Sequence, residues 1–251
     1  MDLIDIEFES YDLSVAKALD AAGAAEVLAK QKSVLIKPNL VNASPFPITT
    51  APDCVEAIVQ YVRTNSNAEI VIGEGCGDHS METDEVYEEL GYCEMASRLG
   101  VNLIDLNHAP LRETTRDGCD VFPTMHLPEI TFTHFLISVP VLKAHSIADV
   151  TGTLKNMIGI APPQYYSGRH GSWKKSVMHG RMQESILDLN RHRTPDLTLM
   201  DASVGMPDFH LGGRHCDPPL RRMLAGFDPV AIDRRGAELL ELNWRTIGHL
   251  Q

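Results

Sequence analysis

Apolar and polar positions follow two rhythms through the first half of the chain. The runs Ser33-Val-Leu-Ile-Lys37, Glu69-Ile-Val-Ile-Gly73 and Val101-Asn-Leu-Ile-Asp105 have strand length. Between and before them lie stretches with helical spacing: Ala- and Leu-rich Ser14 to Lys30, and Asp53 to Arg63 with Val55, Ile58, Val59 and Val62 on one face. Pro52 suits the first turn of the second of these, because its missing N–H has no helical partner there. A third helix starts near Thr83 and is capped or interrupted by Gly91. Strand and helix in alternation with short connections predict an α/β fold: a mainly parallel sheet with helices on both faces, in Rossmann-like layers.

The rhythm fails between Asn107 and Pro128, which predicts a hairpin or β insertion at 107–128. Ile130 to Val139, β-branched and aromatic throughout, is the strongest strand candidate. Beyond it the pattern predicts a short helix at Gly152 to Ile158 and a long loop at Ala161 to Lys175. A helix at Met182 to Leu189 and a strand at Asp196 to Met200 follow, then a Gly/Pro-rich loop at Val204 to Pro219. A last strand at Arg222 to Gly226 precedes a helix at Pro229 to Leu240. With no repeat and no linker-like composition, residues 1–251 read as one α/β domain.

Charge narrows the partners. The formal net charge is −12, and nucleic acid and anionic membranes both require a basic footprint. The longest apolar stretch, Phe135 to Leu142, is broken by Ser138 and Pro140 and falls short of the ~18 residues of a spanning helix. The start, MDLIDIEFES, lacks the basic and apolar regions of a signal peptide. The five cysteines, at 54, 76, 93, 119 and 216, are scattered without a C-x-x-C. That spacing disfavours a disulfide framework and offers no complete iron–sulfur site. A cytoplasmic protein with reduced thiols is the expectation.

Candidate chemistry gathers where the strands end. In open α/β sheets, ligands bind beyond the carboxyl ends of the parallel strands. Here those ends are Lys37-Pro-Asn39, Gly73-Glu74-Gly75, Asp105, Pro140 to Ser146 (with Lys143 and His145) and Asp201-Ala-Ser203. The chain has only eight lysines and none between Lys37 and Lys143, yet Lys37, Lys143 and Lys155 all fall in crevice segments. A lysine directly after a buried strand is a poor solubiliser and a good point charge for an anion; a snorkelling lysine is the alternative. Gly152 to Gly159 holds a lysine between glycines but lacks the order of a phosphate-binding Walker loop. It reads either as a short helix presenting its N-terminal amides to an anion, or as a helix packed through small residues.

His145 and His179 are candidates for acid–base work or ligation. Asp208, His210, His215 and Cys216 offer mixed ligands for a divalent metal, although their spacing matches no standard zinc pattern and also suits a solvated loop. Cys76, in the glycine-rich turn, is either reactive or a small packed residue. Asp228 before Pro229 reads as a helix N-cap, whereas Asp233 is open between a helix anchor and a metal ligand.

Seven motifs occur in order: K-P-N-L (Lys37 to Leu40), T-T-x-P (Thr49 to Pro52), G-E-G (Gly73 to Gly75), G-Y (Gly91 and Tyr92), P-V-L-K-A-H (Pro140 to His145), T-L-K-N-M-I-G (Thr153 to Gly159) and F-D-P-V-A-I-D (Phe227 to Asp233). This succession resembles the bacterial and archaeal family known as domain of unknown function 362. The resemblance implies no assigned reaction. Its members are often described as iron–sulfur-associated because many carry a ferredoxin-like module, which this chain lacks, so the redox label does not transfer. It also implies continuation beyond Trp244, and so a truncated domain edge.

Motifs and strand ends coincide. Together they predict one site in which Lys37, Lys143, His145 and Lys155 act, with Asn39, Gly73, Glu74, Gly75, Asn156, His179 and Asp201 around the substrate. Three functions remain open at this level. The chain is an enzyme for a small carboxylate or phosphate; or a non-catalytic metal- or anion-binding partner of a separate redox protein; or a structural interaction module.

Overall fold

A computed structural model describes residues 3–251. In chain order the elements are β1 (Ile4–Glu7), α1 (Tyr11–Ala21), α2 (Ala24–Leu28), β2 (Ser33–Pro38), α3 (Pro52–Asn65), β3 (Glu69–Glu74), α4 (Thr83–Glu89), α5 (Tyr92–Leu99) and β4 (Asn102–Asp105). There follow β5 (Leu111–Thr115), β6 (Thr124–Pro128), α6 (Ile130–Thr133), β7 (Phe135–Val139), β8 (Val141–His145), β9 (Asp149–Thr151), α7 (Thr153–Asn156) and α8 (Pro163–Tyr166). The chain closes with α9 (Met182–His192), β10 (Leu197–Met206), β11 (Arg222–Gly226) and α10 (Pro229–Leu239).

The main sheet runs β1-β11-β10-β7-β2-β3-β4, and β8 and β9 extend it beside the far half of β10. Strands β10, β7, β2, β3 and β4 are mutually parallel, and β8 is parallel to β10; β1, β11 and β9 pair antiparallel with their neighbours. β5 and β6 form a separate antiparallel hairpin, in the region whose pattern predicted one.

Strand periodicity sorts the apolar residues to two cores. Val34 and Ile36 of β2, Ile137 and Val139 of β7, and Ile70 and Ile72 of β3 face the core covered by α1 to α5. Leu35, Leu136 and Val71, each one residue out of phase, face the core covered by α7 to α10 and the hairpin. Both faces of the parallel strands are therefore dry, which is why these strands read as continuous apolar runs.

From β2 the chain builds β3 and β4 on one side and then returns to place β7 on the other. The connections leaving the carboxyl ends of β2 and β7 therefore diverge, and such a switch point opens a crevice.

Several elements depart from expectation, each for a local reason. Gly23 adopts φ +73° and splits the predicted Ser14–Lys30 helix into α1 and α2. Ile130 to Thr133 is a helical turn, although its residues favour strand. The Thr131 hydroxyl donates to the Pro128 carbonyl and the Thr133 hydroxyl to the Ile130 carbonyl, which holds the backbone locally. Pro140 interrupts what would be one long strand, so the segment expected as a polar strand end is itself the buried strand β8. β10 runs on to Met206 instead of stopping at Met200, because β11 pairs with it through Ala202 and β8 pairs with its second half, at Asp201 and Met206.

Candidate active site

At the switch point a cavity of about 420 Å³ opens between the ends of β2, β3 and β8, the end of α7, and the loops around Trp173 and Phe209. Its floor is a closed polar network. Lys37 projects from the last turn of β2 and is fully buried. Its ammonium donates to Glu74 Oε2 at 2.9 Å, to the Pro38 carbonyl at 3.1 Å and to Asn156 Oδ1 at 3.1 Å. Glu74 also accepts from the Leu40 amide at 3.0 Å and the Gly75 amide at 2.8 Å. Asn156 donates onward to Ser138 Oγ at 3.0 Å. Burial pushes the Lys37 pKa down, and the Glu74 carboxylate opposes that shift. Gly159 is fixed by this network: a Cβ there would collide with the Glu74 carboxylate and stand 2.6 Å from the Lys37 ammonium.

An ammonium has three donors, and Lys37 spends all of them on protein. It lies beneath the cavity and does not line it. Lys37, expected to act on the substrate, therefore has its donors occupied by Pro38, Glu74 and Asn156.

Above the floor the balance changes. Lys143, Lys155 and Lys175 all line the cavity, and among the described residues Glu74 is the one carboxylate beside them in its lining. Lys143 donates to Asn39 Oδ1 at 2.6 Å and to the Ile48 carbonyl. Lys175 donates to the Ala161 carbonyl at 2.6 Å and to Asn107 Oδ1. Each keeps one donor free. Among the described residues Lys155 meets no hydrogen-bond acceptor. Burial and the repulsion of Lys37 lower its pKa to about 8; burial lowers that of Lys175 to about 7, against the attraction of Glu74. Lys143 is pushed well down by burial and then by Lys155.

Three imidazoles share the cavity. The rings of His145 and His210 stack with centroids 3.8 Å apart. His145 Nδ1 accepts from the Ile147 amide at 3.2 Å and the Ala148 amide at 3.1 Å. The neutral ring therefore carries its proton on Nε2 and presents a donor, not a base. Burial, reinforced by Lys155 and His210, holds it neutral. His210 is lowered to about 3, by burial first and then by Lys155, and His179 is lowered by the same two causes. A buried ring beside cations stays uncharged.

The structure brings Asn39, Glu74, Gly75, Lys143, His145, Lys155, Asn156 and His179 to one cavity. Besides Lys37 beneath it, two predicted residues are left out. Asp201 is buried behind the sheet, accepting from the Tyr11 hydroxyl at 2.7 Å and the Ser203 amide at 2.9 Å. Gly73 is a packing position, where a Cβ would stand 2.8 Å from Leu35 Cδ1.

The open amides proposed for the start of α7 are closed as well. Asp233 takes the Thr153 amide at 2.5 Å and the Leu154 amide at 2.8 Å, so it is the helix anchor of the two alternatives. Asp228 caps α10 through the amides of Val230 and Ala231.

The candidate metal set does not converge. Asp208 pairs with Arg214 at 2.6 Å on the surface, His210 turns in to His145, His215 is exposed, and the Cys216 sulfur lies near Gly205. Among the described residues the group whose ligand atoms fall within 4.8 Å is Glu82, Asp105 and His108. There Asp105 already accepts from Thr83 and His108, and Glu82 from Lys174. Cys76 is buried and its thiol donates to the Met81 carbonyl, the packed alternative.

Sequence reasoning missed Lys175, Trp173, Thr151 and Phe209, and placed His210 in a metal set. Lys175 was within reach: the scarcity argument that selected three lysines applies equally to a fourth, had its segment not read as a long loop.

Fold and cavity define an α/β protein with a cationic pocket at its topological switch point. The chain belongs to the family described as Domain of unknown function (DUF362), which matches residues 34–238. No match is found among curated proteins. Among solved structures, the chain is similar to the lactate racemase apoprotein from Thermoanaerobacterium thermosaccharolyticum: TM-score 0.54, 13% identity, covering 94% of this chain and 56% of that one. The present chain thus spans a little over half of the racemase's length, and the likeness is one of fold. A second similar structure, a structural-genomics target from Thermotoga maritima, has a TM-score of 0.48 at 13% identity over 80% of this chain and 52% of that one. No described helix is long and apolar enough to cross a membrane.

Proposed function

We propose that the cavity is the active site of an enzyme acting on a small carboxylate-bearing substrate of the 2-hydroxy or 2-oxo acid class. The observation that carries this reading is the imbalance of charge. Three lysines face one cavity whose single carboxylate, Glu74, is already bonded to Lys37 and two amides. Burial pushes all three toward the neutral amine because their charge has no free counter-charge there, and a bound anion would supply one. The shared fold with a lactate racemase supports the choice of substrate class.

In this reading the free donors of Lys143 and Lys175 take the carboxylate. His145, with Nε2–H outward, polarises the substrate oxygen as a neutral donor, in the manner of uncharged imidazole electrophiles. The proton-accepting role passes to His179 and His210, which burial keeps unprotonated at neutral pH, with His210, lowered to about 3, the weaker base. Leu40, Ile158 and Met182 give the carbon skeleton an apolar wall.

Calorimetric titration with lactate, pyruvate and phosphate near pH 6.5, paired with elemental analysis of the purified protein, tests the proposal. Saturable one-to-one binding of the carboxylates is expected. Absence of any anion binding, or tight stoichiometric metal without it, would favour the non-catalytic metal-binding alternative.

A further inference from the structure

Within the cationic cluster the lysines are not equivalent. Lys143 and Lys175 each have two protein acceptors, and Lys37 has three. Among the described residues Lys155 has none, yet it lines the same cavity. Two further groups there also lack a partner: Thr151 Oγ1, on a residue 2% exposed, and His210 Nδ1. Three unpartnered polar groups lining one cavity mark the place where a ligand's reacting atoms belong.

An anchored ammonium is a fixed charge. An unanchored amine in a low-dielectric pocket beside other cations is the environment in which lysine becomes a nucleophile.

We propose that Lys155 forms an imine with the carbonyl group of a carboxylate-bearing aldehyde or ketone. The inference rests on the anion-binding reading of the same cavity. The Lys155 nitrogen lone pair adds to the carbonyl carbon, forming the C–N bond, and the carbonyl π pair moves to oxygen. That oxygen is protonated and the nitrogen gives up a proton, leaving a neutral carbinolamine. The carbinolamine oxygen then takes a second proton, the C–O bond breaks and water departs as the nitrogen lone pair forms the C=N bond, and the resulting iminium gives up its N–H proton to leave the imine. No oxidant or reductant is consumed. Lys143 and Lys175 hold the substrate's carboxylate; His210 and His179 relay the protons; the Thr151 hydroxyl bonds to the carbinolamine oxygen. Burial places the amine pKa at about 8, so roughly a tenth of it is free at neutral pH.

Reductive trapping tests this. The purified protein is incubated with pyruvate or glyoxylate and sodium cyanoborohydride, then analysed by intact mass and peptide mapping. One adduct per chain, on Lys155, is expected, and excess lactate should suppress it. Lys155→Arg keeps the charge, so it should bind lactate in calorimetry and take up no adduct; Lys155→Met, checked for folding by circular dichroism, should bind lactate at least tenfold more weakly and take up no adduct. Lactate binding without an adduct on Lys155, or adducts spread over exposed lysines such as Lys17, would overturn the imine and leave the anion site standing. Absence of both binding and adduct would overturn the two together.

Discussion

The floor of the cavity and the chamber above it are built from the same residue types and obey opposite rules. Below, Lys37, Glu74 and Asn156 are buried together, and every donor of the ammonium has an acceptor. Above, Lys143, Lys155 and Lys175 face a cavity without a matching anion, and Lys155 faces it without even a neutral acceptor. A closed network contributes position; an open one contributes affinity. Buried charge alone therefore does not mark a functional lysine, whereas buried charge without a partner does.

The largest effect should come from opening the floor. Lys37→Met strands the Glu74 carboxylate, and loss of one partner of a buried pair costs about 3–5 kcal/mol. Urea denaturation should show that loss, and the double variant Lys37→Met/Glu74→Leu should recover part of it. If Lys37→Met is as stable as the wild type, the distinction between floor and chamber fails.

Next is Lys155→Met, where the signs reverse. Removing an uncompensated cation should leave the unfolding midpoint unchanged or raised, and weaken carboxylate binding by tenfold or more, about 1.4 kcal/mol. Calorimetry and a thermal melt on the same sample read both quantities.

pH gives a smaller and graded test. Lys155 and Lys175 titrate near 8 and 7 when folded and near 10.4 when unfolded. Between about pH 7 and 10 the unfolded chain thus holds more protons, so these groups make stability rise with pH. The contribution is absent below that window, where both states are protonated. The slope of melting temperature against pH should flatten in Lys155→Met and Lys175→Met, and flatten when a carboxylate is bound. A slope equal in wild type and both variants would contradict the lowered pKa values.

The smallest effect belongs to the surface loop. Asp208→Ala removes a partner of Arg214 outside the cavity and should change neither carboxylate affinity nor the metal content of the protein. A loss of bound metal in that variant would restore the loop as a ligand set.

Much of this was legible in the chain because strand periodicity and glycine or proline punctuation are local. The apolar runs at 34–36 and 70–72 announced β2 and β3, and their polar ends placed Asn39 and Glu74 on one edge, where the motif lysines Lys143 and Lys155 join them. What failed depended on contacts distant in sequence. Nothing near Lys37 says that Glu74 and Asn156 will use up its donors. Nothing near Gly152 says that Asp233, some 80 residues on, will take the amides at the start of α7. Asp201 stands at a strand carboxyl end as expected until β10 continues past it, which leaves the side chain against Tyr11. His210 moved from a metal set to the cavity because its loop folds inward onto His145. Strand ends can be read from sequence; the pairing of charges at those ends cannot.

The central claim is that the chamber holds lysines waiting for an anion. Its most direct test is proton uptake on carboxylate binding, measured by titration calorimetry at pH 8 in two buffers of different ionisation enthalpy. A bound anion raises the pKa values of Lys155 and Lys175, so about one proton should be taken up per carboxylate bound, with less uptake at pH 6. Binding at pH 8 without proton uptake would show that the lysines are already charged and compensated, and would contradict the account.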